Sequence, residues 1–157
     1  TLEPSWAPPT TGLELGGQPE QQAARILSGW PILGAEIQEK TLPQEVRFDE
    51  NGGGSYTKGC YTGQETVARL HFRGHSNRVL QGLLWDGSPL LEDDRVRAGD
   101  GKEVGTVSSV LDLDSRTLGL TVLRREIPPG STITAGNRAA RVVALPFDVA
   151  LLSQAAG

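Results

Sequence analysis

Apolar positions change their spacing several times along this 157-residue chain. Residues 1–19 carry four prolines and no periodicity, which predicts an extended lead-in. From Glu20 to Ser28 good helix formers carry Ala23, Ala24, Ile26 and Leu27, and Gly29 with Pro31 supplies a stop, so a short helix is expected. Residues 30–50 mix turn formers with charges, and Gly52-Gly53-Gly54-Ser55 reads as a loop. Beyond it Thr62 is the expected N-cap of a helix opening at Gly63, with Glu65 and Arg69 as an i,i+4 pair in the favourable order. Residues 69–75 alternate polar and apolar with period two, the mark of a half-buried strand. Further strands are predicted over 78–85, 95–98, 104–113, 117–125, 131–134 and 139–145, with turns such as Asp86-Gly87 and Pro128-Pro129-Gly130 between them. Short strands at near-regular spacing predict a closed antiparallel barrel.

Composition narrows the class. Twenty glycines and ten prolines exclude an all-α fold, and 37% hydrophobic with 22% charged residues is ordinary for a globular chain. No apolar run approaches the roughly 20 residues of a membrane-spanning helix, so no membrane partner is expected. Residues 1–66 hold four basic and nine acidic side chains, whereas residues 67–157 hold eleven and ten. The expected division is therefore a lead-in over 1–19, one unit over 20–66, a barrel over 67–148 and a tail over 149–157. A net charge of -4 makes the chain a poor general binder of nucleic acid, though local basic patches remain open to it. There is no methionine, and the start at Thr1 suggests a portion of something longer.

Candidate chemistry centres on Cys60, the single cysteine, which rules out an internal disulfide or a CxxC site and fits a reducing compartment. Lys58 and the following helix N-terminus would both favour its thiolate. The other reading is a small buried hydrophobe. One thiol cannot build an iron–sulfur cluster, which takes about four, so no metal is expected on this chain alone. Arg69, His71, Arg73 and His75 would line one strand face, either simply solvated or as a basic stripe for a phosphate or a polyglutamate tail. His71 and His75 would stand roughly 13 Å apart on that strand, too far to share an ion. Residues 99–105 have one residue too many for a dinucleotide fingerprint and read as a hairpin turn. No Walker loop, nucleophile elbow or H-E-x-x-H pair is present, and Asp93-Asp94 sits in an expected turn.

The run Lys58-Gly59-Cys60-Tyr61-Thr62-Gly63-Gln64-Glu65 closely resembles the signature of the YgfZ-type folate-binding proteins. The likeness continues at Arg25 through Pro31, at Leu42 through Glu45, after the signature to Gly74, at Gly105 through Ser109, and at Leu145 through Phe147. It covers roughly residues 20–148, the C-terminal half or so of a typical member. It implies an α+β fold shared with the glycine cleavage T-protein: the end of an aminomethyltransferase-like folate-binding α/β domain, then a six-stranded antiparallel barrel. It further implies that Cys60 is the working thiol, with Lys58, Gln64 and Glu65 as its neighbours and Gly59, Tyr61 and Gly63 as the rest of the motif. Arg25 and Arg73 become candidates near the folate channel.

The function so implied is a folate-binding accessory factor in iron–sulfur cluster assembly or repair and in iron–sulfur-dependent tRNA modification. Its cofactor would be tetrahydrofolate or a derivative. Its partners would be iron–sulfur enzymes or cluster-assembly proteins, tRNA, and the N-terminal half of the fold. Its setting would be the cytoplasm, or the mitochondrial matrix for an organellar homologue. The alternatives are a tetrahydrofolate-dependent aminomethyltransferase and an RNA- or protein-docking module. Against the first stands Leu27, which occupies the place of a glutamate in the T-protein segment.

Overall fold

In a computed structural model, residues 16–56, 59–86, 91–113, 116–148 and 150 are described, Arg73 by its backbone only. Helix α1 spans Gln18–Ser28, with a proline at its start and Glu20 Oε2 accepting the Gly17 N–H at 2.7 Å. It stops where Gly29 turns left-handed, at φ 67°, and the Gly29 and Trp30 N–H groups return to Ile26 O and Arg25 O at 2.9 Å. A single 3-10 turn, Pro43–Val46, follows, and then helix α2 over Gln64–Arg73. The strands are β1 Arg78–Asp86, β2 Arg95–Arg97, β3 Glu103–Leu113, β4 Arg116–Arg124, β5 Thr132–Ala135 and β6 Arg138–Val143. They close in the order β1-β4-β3-β2-β5-β6, every pair antiparallel, with β6 returning to β1 through Gly82↔Val143 and its neighbours. The six-stranded barrel read from period-two segments is present, each strand within a residue or two of its expected bounds.

Alternation along β1 and β4 divides the core. Leu83 and Trp85 of β1 and Leu123 of β4 point into the barrel, packing with Val96, Val107, Ile133 and Val142. Leu80, Leu84, Leu118 and Leu120 point outward and are covered by Ile26 of α1 and by Phe147. Both faces of these two strands are thus buried, and α1 is fastened to the barrel wall. The Phe147 N–H donates to Leu27 O at 2.9 Å and brings the end of the barrel segment back to the same helix.

Residues 69–73 depart from expectation. They belong to α2, not to a strand. The half-buried positions are Gln64, Val67, Ala68 and Leu70, and Gln64, Val67 and Ala68 share an i, i+3, i+4 face that a seven-residue window starting at Arg69 does not contain. Gln64, Glu65, Ala68, Arg69 and Leu70 are good helix formers, and local propensity reinforces that period. The basic stripe Arg69, His71, Arg73 and His75 therefore does not exist as a strand face, and His75 lies beyond the Gly74 cap. The expected unit boundary between residues 66 and 67 falls inside α2. Among the described residues no helix is long and apolar enough to cross a membrane.

Candidate functional site

The motif forms a turn ahead of α2. Gly59 and Gly63 adopt φ of 74° and 88°, left-handed values that a side chain strains to reach. Gly63, not Thr62, is the N-cap, and it offers no side-chain cap. Gln64 compensates: its Oε1 accepts the Tyr61 N–H at 3.1 Å, while its own N–H donates to Tyr61 O at 3.2 Å. The turn displays Cys60 as a free, exposed thiol, so the buried-hydrophobe reading does not apply. Tyr61 is 47% exposed and Glu65 faces solvent on the first turn of the helix. Among the ion pairs of the described residues, Glu65 and Arg69 do not feature. Lys58 and the Arg73 side chain lie outside the described residues.

Helix α2 is fastened by contacts that the sequence did not announce. Asp49 accepts the Tyr56 hydroxyl on Oδ1 and meets His71 Nδ1 on Oδ2 at 3.2 Å. The Tyr56 and His71 rings stack with centroids 3.8 Å apart, and Phe72 meets both edge-on. Gln44 Nε2 donates to Val67 O at 3.1 Å. Tyr56 and His71 lie 7 and 22 residues from Asp49, and no local periodicity connects such positions.

Loss of solvent, with the hydrogen bond to Asp49 next, pushes the Tyr56 phenol up to about 12 from 10.0. Because the folded state holds this proton more tightly, Tyr56 stabilises the fold fully below pH 10, and the contribution is lost as pH rises through about 12. A spectrophotometric titration is expected to show a late-ionising phenolate that is absent from Tyr56→Phe. A step for Tyr56 near its ordinary value would contradict the packing described.

Arg25 is committed elsewhere. Its Nη1 donates to Glu36 Oε2 at 3.2 Å and to Trp30 O at 3.1 Å, its Nη2 to Ser109 Oγ at 2.8 Å, and its Nε to Gln22 Oε1 at 2.7 Å. Glu36, its side chain fully buried, also accepts from Ile32 N at 3.1 Å, Ser108 Oγ at 3.0 Å and Ser109 Oγ at 2.6 Å. This network clamps α1 and the segment after it onto β3. Sequence reasoning missed Glu36, whose partners Ser108 and Ser109 lie 72 and 73 residues away.

Among the described residues no group of three His, Cys, Asp or Glu is placed to hold a metal ion. Four clefts of the described residues are lined by barrel strands and by segments such as 34–45 and 47–50, and Cys60, Gln64 and Glu65 line none of these four. Gln44 Oε1 is buried without a partner, an acceptor of the kind a pterin N–H uses, but Gln44 lines none of these four clefts. Among the described residues these clefts place no pterin site at that acceptor.

No family model matches the chain. It is 32% identical over 143 residues to the tRNA-modifying protein YgfZ of Escherichia coli (strain SMS-3-5 / SECEC), a match covering 87% of this chain and 44% of the relative. The chain belongs to the YgfZ family. It is likewise 35% identical over 123 residues to the YgfZ of Shigella dysenteriae serotype 1 (strain Sd197), covering 75% of this chain and 38% of that one. The chain therefore spans less than half the length of these YgfZ relatives. Among solved structures it resembles the glycine cleavage system aminomethyltransferase T from Bartonella henselae, with a TM-score of 0.64 and 16% identity over 82% of this chain and 38% of that one. At that identity the likeness shows the fold alone.

Proposed function

We propose that this chain supports iron–sulfur-dependent tRNA modification through the thiol of Cys60. The observation that carries the reading is a lone, exposed thiol displayed on a turn between two left-handed glycines, in a chain whose relatives are named for tRNA modification. An exposed thiol is reachable by a partner protein and adds little to packing. A single thiolate cannot hold a cluster, so Cys60 acts as one transient ligand facing an iron–sulfur enzyme or cluster-assembly protein that brings the rest. Gln64 keeps the turn closed, and Glu65 stands beside it at the start of α2. Tetrahydrofolate is assigned to the fold as completed by the remainder of a family-length chain, and no step on this chain is routed through it. The reducing cytoplasm is the setting in which such a thiol stays free.

Cys60 is the single cysteine, which makes a chemical test clean. Protein added to a cell extract lacking its own family member is expected to restore methylthiolation of tRNA, and protein alkylated at Cys60 with iodoacetamide is expected not to. Equal restoration by the alkylated form would contradict the proposal.

Aminomethyl transfer finds no support at Leu27, whose partly buried side chain packs against the outer core of Ile26, Leu80 and Phe147. An alkyl group cannot supply acid–base chemistry. Glycine exchange assayed with a lipoylated carrier protein is expected to stay at background. Turnover above it would return the chain to the transferase reading.

A further inference from the structure

A cleft of about 840 Å³ opens at the end of the barrel where β1 begins and β4 finishes, with Arg78, Arg124 and Arg125 on its wall beside His75. Arg78 and Arg124 are directly opposite in the β1/β4 register. Arg125 follows, its N–H bonded to Asn77 O at 2.8 Å, which holds the three guanidinium stems at one corner. Like charges directly opposite on adjacent strands destabilise a sheet, so folding alone does not account for this pairing.

Compensation within the fold is incomplete. Glu126 stands 4.0 Å from Arg124 and 3.9 Å from Lys102 and is shared between them. Glu103 is bonded to Arg95 at 2.5 Å. Arg78 donates to Val122 O at 3.2 Å, a contact that leaves its charge unneutralised, and Arg125 has no ion pair among the described residues. The cleft wall carries Arg78, Arg124 and Arg125 against Glu103 and Glu126, whose other partners Arg95 and Lys102 stand outside it, and Arg78 also borders a neighbouring cleft lined by Glu39, Glu45 and Asp93. The arginines of the wall outnumber its carboxylates on a chain whose net charge is -4.

We propose that this cleft binds the phosphodiester backbone of RNA, with Arg78, Arg124 and Arg125 as its phosphate contacts. Planar guanidinium forks match phosphate oxygens bidentately. All three arginines are exposed, which suits a strand of linked phosphates lying across the cleft rather than a small anion enclosed by it. The inference rests on the tRNA-modification reading and names its RNA contact. It does not involve Cys60.

The test is fluorescence anisotropy of fluorescein-labelled tRNA with this chain, between about 50 and 200 mM salt. Three phosphate contacts predict a slope of log K against log salt of about -2 to -3. The double variant Arg124→Glu/Arg125→Glu is expected to weaken binding at low salt by about tenfold or more and to flatten the slope by about 2. Arg141→Glu, on β6 outside the cleft, and Cys60→Ala are both expected to bind as the parent does. Arg124→Glu places an opposite charge across from Arg78, so its thermal midpoint should not fall, which separates lost binding from lost folding. Undiminished tRNA binding by the double variant, an equal loss in Arg141→Glu, or no tRNA binding by the parent would overturn the proposal. So would arginine-dependent binding of tripolyphosphate without binding of tRNA. Each of these leaves the thiol's role in modification to be judged by the alkylation result.

Discussion

Alanine at position 36 is expected to destabilise the chain by about 3–5 kcal/mol, seen as a lower urea midpoint with an unchanged slope. The carboxylate is fully buried and pairs with Arg25, whose side chain is only 11% exposed. Removing it leaves a guanidinium uncompensated in a low-dielectric place and strips Ser109 and the Ile32 N–H of their acceptor, while Ser108 keeps Leu120 O at 2.9 Å. The penalty comes from what remains, so replacing both partners, Arg25→Met with Glu36→Leu, should recover most of the loss. A loss below about 1 kcal/mol for Glu36→Ala would mean that water reaches Arg25 in the folded chain. The clamp matters to function because it seats α1 and its following segment on β3, and that segment leads to the turn against which α2 rests.

The second large effect is on activity and leaves stability alone. Cys60→Ser is expected to hold the unfolding free energy within about 0.5 kcal/mol of the parent, as at other exposed sites. The same change should lower tRNA methylthiolation by on the order of tenfold or more, because a hydroxyl neither ionises near neutral pH nor ligates iron as a thiolate does. The two halves are measured separately, by urea unfolding and by the fraction of methylthiolated tRNA. A parallel fall in both would return Cys60 to a packing role.

The barrel was legible because its signal is local. Alternating segments separated by Gly and Pro turns fix strand positions to within a residue or two, and one such strand, β1, carries both core faces in its odd and even positions. The stop of α1 at Gly29 was legible for the same reason. Residues 69–73 were misread because the strand pattern and the helix pattern overlap there. Only a window reaching back to Gln64 separates a period of two from one of 3.6. The motif and its cysteine were legible as residues and as a family likeness, but the exposure of Cys60 was not, since Lys58 and a helix N-terminus are compatible with either a buried or an open thiol. Glu36, Asp49 and Tyr56 carry no sequence signal of their roles. Each acts through partners brought close only by the closed fold, and a charged residue that will be buried looks like any other charged residue in a turn-rich segment.

The measurement that bears most directly on the central claim is made in cells lacking their own family member. The full natural protein and its Cys60→Ala form are expressed at matched levels, and the methylthiolated fraction of tRNA is read in each. The account predicts restoration by the parent and none by the variant. Equal restoration would contradict it and would leave the exposed thiol without a part in the chemistry.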